Sequence, residues 1–498
     1  MPARQGTRGP GHLLGVFGMK FTNACRRGPG AIIGLLFLLV SGFVSTAQGA
    51  PNFLVVVGDD MGAETLSCYG LNDDTAVTPT LDNLCAHGIR FDNMWSQPVC
   101  SPTRATVMTG RYGFRTGVGF AIETPPDVEK IVPERPPGAN FEPPRNRDGR
   151  PPRPSVPGLS LDEFTLPMAL KSDPALGYET AAIGKWHLSD RGNGYEQHPL
   201  SAGFDHFAGS AIGGLESYFA FSKQIDGEET EGSTVYSTTD KVNSALEWLE
   251  GRDEDSPWFI WLSFNNPHSP YHLPPVDLLH SDARHLDPDA VADNPHAYFK
   301  AQLEALDTEL GRLLGSLTQA QRENTYVIFM GDNGTSRGVV QMPFHSQRGK
   351  DTVYQGGLTV PFIVTGPGIE AGRVSKALLN TVDLYATFLE LAGIDFEGTV
   401  PDDRGFDSIS FAPLLRDADA APARDFAFAD IFSPWREPSR AIRNASHKLV
   451  EIEGVEELYN LEIDPYEYDN LLADELSAVD REHYEDLKSR LTALLASE

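Results

Sequence analysis

Cysteine is scarce, with four in 498 residues, too few to build a chain of this length on disulfides. Acidic residues are missing altogether from positions 1–50, while Arg4, Arg8, Lys20, Arg26 and Arg27 all fall there. Long apolar runs are missing too: the run over 31–44 falls short of the roughly 20 residues that a membrane span needs. No internal repeat is present. Net positive charge is also absent, because 40 Lys and Arg face 70 Asp and Glu, a formal charge of −30. That balance excludes nucleic acid and anionic membrane as general partners. It also repels a polyanionic substrate at long range, so any anion site has to be locally basic.

What is present begins with a leader pattern. Basic residues, the apolar run and then the small residues Ser45, Ala47 and Ala50 follow the order of a secretory signal peptide, with cleavage near 47–50. The expected location is periplasmic or extracellular, with no stable membrane insertion after cleavage. Met19 is a second candidate start, an uncleaved anchor is the alternative reading, and no Cys follows the run to carry a lipid. Losing 1–50 takes away five positive charges and moves the formal charge from −30 to −35. Cys25 leaves with the signal, so Cys68, Cys85 and Cys100 remain, an odd number in an export compartment. One thiol is therefore free or chemically special. Cys68 and Cys85 either pair or are small buried thiols. A composition of 40% hydrophobic and 22% charged residues suits an ordinary globular body.

Short apolar or β-branched runs at 53–57, 180–183, 258–264 and 326–330 end abruptly in polar residues and read as buried strands. Helical periodicity falls between them at 239–249, 298–317 and 382–392. Strands alternating with helices predict an α/β sandwich on a large, mostly parallel central sheet. In such sheets ligands bind beyond the carboxyl ends of the strands. The polar endings Asp59-Asp60, Lys185-Trp186-His187, Asn265-Asn266-Pro267-His268 and Asp332-Asn333 all sit at those ends. They point to one shared site in a domain spanning 51–402. The Pro-, Arg- and Asn-rich segment 123–157 reads as a surface loop, either overhanging the site or a plain insertion. From 403 to 498, strands at 447–451 and 457–461 and a helix at 480–495 predict a smaller C-terminal α+β unit with an antiparallel sheet.

Cys100-Ser101-Pro102-Thr103-Arg104 opens a helix running to Thr109-Gly110-Arg111. A thiol at a helix N-terminus, one turn from an Arg, is expected to have a depressed pKa. A cysteine phosphatase needs Cys-x5-Arg, but residue 106 is Thr. The structural alternative is a helix cap with a buried thiol. Asp59, Asp60, Asp332 and Asn333 offer hard oxygen ligands, suited to Ca²⁺ or Mg²⁺ and not to Zn²⁺. A thiolate beside them is a poor ligand for a hard ion.

Cys-x-Pro-x-Arg followed by Thr-Gly-Arg resembles the maturation signature of the formylglycine-dependent sulfatases, in the alkaline phosphatase superfamily. Gly184-Lys185-Trp186-His187-Leu188, the Asn-Pro-His-Ser-Pro around His268, and Lys350-Asp351-Thr352-Val353-Tyr354-Gln355-Gly356-Gly357 resemble further blocks of that family. So does Glu457-Leu458-Tyr459-Asn460-Leu461 through Asp464-Pro465 to Asn470-Leu471-Leu472. The resemblance implies an alkaline-phosphatase-like fold and a sulfuric ester hydrolase. Its nucleophile would be formylglycine made from Cys100 by a maturation enzyme. Calcium, with magnesium as the alternative, would be held by Asp59, Asp60, Asp332, Asn333 and the modified Cys100.

By the same resemblance Lys185 and Lys350 hold sulfate oxygens, Arg104 holds the hydrated aldehyde, and His187 takes its proton. His268 or Lys350 protonates the leaving alcohol. A sulfated carbohydrate is the expected substrate. Gln355 departs from the family's usual Glu, and Thr359 from a common Arg, which affects support for Lys350. A phosphonate monoester or phosphodiester hydrolase and a non-catalytic carbohydrate-binding relative are the competing readings. Lys185 and His187, two residues apart in an extended segment, are expected to face one way and Trp186 the other.

Overall fold

The computed structural model describes residues 49–123, 155–230 and 232–497. The expected signal segment, apart from its last two residues, and most of the 123–157 segment lie outside the described residues. Ten strands form one sheet. They are β1 (Asn52–Gly58), β2 (Ile89–Trp95), β3 (Glu179–Lys185), β4 (His206–Ser210), β5 (Gln224–Ile225), β6 (Glu228–Glu229), β7 (Trp258–Ser263), β8 (Thr325–Gly331), β9 (Phe362–Thr365) and β10 (Arg373–Asn380). Their spatial order is β10-β2-β9-β8-β1-β7-β3-β4-β5-β6. The central run β8-β1-β7-β3-β4 is wholly parallel. β9 runs antiparallel between β8 and β2, and the two-residue strands β5 and β6 close the far edge.

Burial of β1 on both faces explains why a short apolar run sits at the centre. Phe53, Val55 and Val57 point into one core with Phe259, Trp261, Ile328 and Met330. Leu54 and Val56 point into the other with Ile260, Leu262, Val327 and Phe329. The period of two along a strand produces this division. The first core is closed by the helices Cys100–Thr109 and Leu384–Ala392, the second by Pro79–His87, Ser237–Gly251 and Pro295–Ser316. The result is the expected α/β sandwich. No helix among the described residues is long and apolar enough to cross a membrane.

Four further strands, β11 (Ala427–Ser433), β12 (Arg436–Arg443), β13 (His447–Ile452) and β14 (Val455–Asn460), form an antiparallel sheet in sequence order. The helix Ala478–Leu495 covers it with Leu487 and Leu491 against Phe428, Ile442, Leu449 and Leu458. Cys68 and Cys85 are joined as a disulfide, and neither is fully buried, so the buried-thiol alternative does not hold.

The four strands flagged from their polar endings are β8, β1, β7 and β3, which are adjacent and parallel. Gly58 pairs with Gly331, and Val57 and Gly184 both pair with Ser263. The polar endings therefore leave the sheet side by side at one edge.

Asp430 in β11 is buried, and burial pushes its carboxyl up to about 7 from a usual 3.8, offset only in part by Arg440. A raised folded-state pKa makes the protonated acid the stable folded form. Stability from this group is thus full below 3.8 and lost as pH rises to about 7. Asp430→Asn is expected to raise Tm at about pH 8, by about 1–3 kcal/mol of stability, and to change little near pH 4.5. Thermal melts at the two pH values check this, and an equal effect at both contradicts it.

Candidate active site

Asp59 and Asp60 follow β1, Asp332 and Asn333 follow β8, Lys185 ends β3, and Cys100 begins its helix. One ligand atom from each of Asp59, Asp60, Cys100 and Asp332 lies within 4.8 Å of all the others. The acids are buried, and each meets its own base. Lys185 Nζ is 2.6 Å from Asp59 Oδ2, and neither side chain is exposed. Arg104 donates from one terminal nitrogen to Asp332 Oδ2 at 2.8 Å. Lys350 pairs with Asp60 Oδ1 and also stands 3.4 Å from Cys100 Sγ. An unpaired charge at this depth would cost several kcal/mol, so the pairing is a condition of burial.

These charges shift one another. Burial acts to raise the Asp59 carboxyl, but Lys185, His268, Lys350 and Arg104 outweigh it and hold it well below its usual range. Burial acts to lower Lys185 and Lys350, but the neighbouring acids reverse it, and both ammonium groups are held above their usual value. Burial dominates at Cys100, whose thiol is pushed up to about 12 despite Lys185 and Lys350. The expectation of a depressed thiol pKa is overturned. The helix N-terminus and Arg104 do not offset the loss of water, and Arg104 is spent on Asp332. Its other terminal nitrogen donates to the Lys185 carbonyl at 2.5 Å and to Ser263 Oγ at 2.6 Å. Arg104 therefore fixes the acid and the end of β3 through its terminal nitrogens, while its Nε is buried without a hydrogen-bond partner.

Lys185 and His187 do not share one extended face. His187 has φ of +60°, so the chain leaves the strand direction there. Trp186 packs away from the site against Phe204, and its indole N–H donates to His198 Nδ1 at 2.9 Å. His187 Nε2 meets the Ile122 carbonyl at 2.9 Å, while its Nδ1 is buried without a partner. Burial, then Lys185 and Arg104, lower the His187 pKa well below its usual value, so the ring is neutral. Nε2 is then the donor and Nδ1 the lone pair. Asp60 and Asp351 also have positive φ, 65° and 71°. Such strain in non-glycine residues persists only where surrounding contacts over-determine it.

His268 stands at the mouth, 24% exposed, with Nδ1 2.6 Å from the Ser269 carbonyl and Nε2 3.9 Å from Asp60 Oδ2. Asn333 Nδ2 donates to Asp60 Oδ1 at 2.9 Å, and its Oδ1 is buried with no partner. Gln355 directs its hydrogen bonds elsewhere than to Lys350, Asp59, Asp60 or Asp332. Its Oε1 accepts from the Trp95 indole at 2.8 Å, and its N–H donates to Glu467 at 2.6 Å. Thr359 lies beside Trp95 in an isolated bridge. Sequence reasoning missed Ser101 and Ser263. Ser101 Oγ donates to the His187 carbonyl at 2.8 Å and accepts from Ile122 N–H at 3.1 Å. Ser263 was within reach of the strand-end criterion, since it closes β7.

Comparison with known proteins places the chain in a family. The Sulfatase family model matches residues 51–394, and the model described as N-sulphoglucosamine sulphohydrolase, C-terminal, matches 345–497. The chain belongs to the sulfatase family, whose members are sulfuric ester hydrolases of alkaline-phosphatase-like fold. It is 29% identical to human N-acetylgalactosamine-6-sulfatase over 396 residues, covering 74% of this chain and 67% of that one. It is 30% identical to the Canis lupus familiaris enzyme of the same name, covering 76% and 69%. A structure solved in complex with k-i-k-neocarrahexaose superposes with a TM-score of 0.69 at 23% identity, covering 88% of this chain and 92% of that chain. Another, solved with its substrate D-glucosamine-2-N,6-O-disulfate, gives 0.66 at 21%, covering 89% and 98%.

Arg104→Ala leaves Asp332 buried without its base. The expected cost is about 3–5 kcal/mol of stability, read from chemical denaturation. A loss below about 1 kcal/mol would show that the pair is not what holds Asp332.

Proposed function

We propose that the chain hydrolyses sulfate monoesters of carbohydrates, using formylglycine made from Cys100 and a calcium ion. The observation that carries this is the meeting of Asp59, Asp60, Asp332 and Cys100 within 4.8 Å, with Lys185 and Lys350 beside them. The residues fit a hard cation. Oxygens about 2.4 Å from one Ca²⁺ lie at most about 4.8 Å apart, and Asn333 Oδ1 is a buried carbonyl oxygen with no other partner. Magnesium uses the same donor chemistry and is the alternative. The Cys100 sulfur is the one soft atom in the group. Its high pKa makes the unmodified thiol a poor nucleophile.

Asp59, Asp60, Asp332 and Asn333 would hold the cation, which when bound supplies Lewis-acid polarisation of a sulfate oxygen. The formylglycine hydrate supplies two hydroxyls on one carbon, one to attack sulfur and one whose deprotonation lets sulfate leave again. Three bases already neutralise three acids, so a divalent cation would leave the site doubly positive, which matches an anionic sulfate ester. Lys185 and Lys350 place fixed positive charge around its oxygens without reorganisation. Arg104 keeps Asp332 and the end of β3 in position. His187, neutral with Nδ1 unpartnered, would take the proton from residue 100. His268, partly exposed at the mouth, is placed to protonate the departing alcohol. Carbohydrate as the bearer of sulfate is supported by relatives and neighbours named for sulfated sugars.

The test is sulfate release by matured protein. Native enzyme is expected to hydrolyse nitrophenyl sulfate at least about a thousandfold faster than Cys100→Ala, and faster than it hydrolyses an aryl phosphodiester. Full activity in Cys100→Ala sinks the proposal. Calcium in excess is expected to raise Tm, by about 2.7 kcal/mol of stability at a hundredfold over Kd. Asn333→Ala is expected to need about tenfold more calcium for the same rise, and an unchanged requirement would remove Asn333 from the metal site.

A further inference from the structure

The strongly acidic chain requires a locally basic entrance for an anionic substrate, and one is built directly beside Lys350. Asp351 is held in a left-handed conformation, φ 71°, with its N–H donating to the Pro98 carbonyl at 2.9 Å. Two arginines from different parts of the chain converge on it. Arg337 donates through Nε to the Lys350 carbonyl at 3.1 Å and through a terminal nitrogen to the Asp351 carbonyl and carboxylate at 3.3 and 3.4 Å. Arg436, which opens β12, donates to Asp351 Oδ1 at 2.7 Å and to its carbonyl at 3.4 Å. Arg337 is 50% exposed and Arg436 27%. The Arg436 guanidinium lies 5.8 Å from the Phe120 ring centre, and Phe120 meets Trp435 edge to face at 5.0 Å. Phe120 is two residues from Ile122, whose carbonyl holds His187.

Exposed ion pairs stabilise a fold by only about 0–1 kcal/mol, so stability is a weak reason to gather two guanidiniums here on strained backbone. Two guanidiniums against one carboxylate leave one positive charge uncompensated, in a chain whose formal charge is −30. The planar guanidinium fork matches the oxygens of a carboxylate or a sulfate. Lys350, the neighbour of Asp351, stands 3.4 Å from Cys100 Sγ, which puts the arginines one residue along the chain from a group of the reaction site.

We propose that Arg337 and Arg436, aligned by Asp351, bind a second anionic group of the substrate, with Phe120 and Trp435 forming the apolar wall against its sugar ring. The substrate class becomes a carbohydrate with at least two anionic groups, the sulfate to be removed and another on the same or the adjoining sugar. This rests on the proposed sulfatase reading.

The test measures binding without turnover. Cys100→Ala protein is titrated calorimetrically with three disaccharides that share one sulfated sugar. The partner sugar is neutral in the first, sulfated in the second and a uronate in the third. The second or third is expected to bind about tenfold or more tighter than the first, and which of them does so identifies the anion. Adding Arg337→Gln and Arg436→Gln is expected to abolish that preference while weakening the neutral-partner disaccharide much less. No preference in the parent, or an undiminished preference in the substituted protein, overturns the proposal. Should the double substitution fail to fold, Arg337→Gln alone, at the more exposed site, is expected to reduce the preference at least threefold, and an unchanged preference overturns it. Turnover of nitrophenyl sulfate by matured native enzyme is scored separately, so its absence sinks the sulfatase reading and not the binding ratio.

Discussion

Three buried carboxylates meet three bases at one edge of the parallel sheet, two of the bases buried and Lys350 part-buried, and each acid has its own base. Lys185 faces Asp59, Lys350 faces Asp60 and Arg104 faces Asp332. Coulomb attraction in a water-poor interior makes this burial tolerable, and removing any one partner strands a charge. Much else follows from it. Strands β8, β1, β7 and β3 have to be adjacent and parallel for their ends to deliver these groups together. The Cys100 helix has to start at that edge for Arg104 to reach Asp332 one turn later. With the acids compensated, a bound divalent cation would turn a neutral cluster into an anion site.

The same interaction explains the state of Cys100. Burial raises its pKa most, Lys185 and Lys350 pull it down without prevailing, and Asp332 and Asp59 add to the rise. A helix N-terminus and a nearby arginine suggested a thiolate from sequence, because local spacing shows which charges are near and not which are already engaged. The structure resolves that question through Arg104, whose donors go to Asp332, Ser263 and the Lys185 carbonyl.

The central sheet was legible because four strand cores carry continuous apolar runs that end abruptly in acids, amides, lysine or histidine. Those endings carried the candidate site as well, since parallel strands present their C-terminal ends to one edge. β2 and β12 were not legible: Ile89–Trp95 mixes charged and apolar residues, and Arg436–Arg443 contains Pro438 and three arginines. Each derives its stability from its neighbours and not from its own pattern. The turn at His187 escaped notice because a positive φ at histidine leaves no sequence mark. Gln355 looked like a change near Lys350 because the two are five positions apart, but its side chain supports Trp95. The arginine pair at the mouth was also hidden, since Arg337 and Arg436 lie 99 residues apart and meet only through Asp351.

The acidity of the chain and the anionic charge of a sulfate ester oppose one another at long range, and the site answers with short-range charge. Everything proposed at sulfur depends on what residue 100 has become in the active protein. The most direct measurement is the mass of the peptide carrying residue 100, taken from protein that releases sulfate. The account predicts a peptide lighter than the encoded one by the difference between a thiol and an aldehyde. An active protein in which that peptide keeps its cysteine entirely would contradict it.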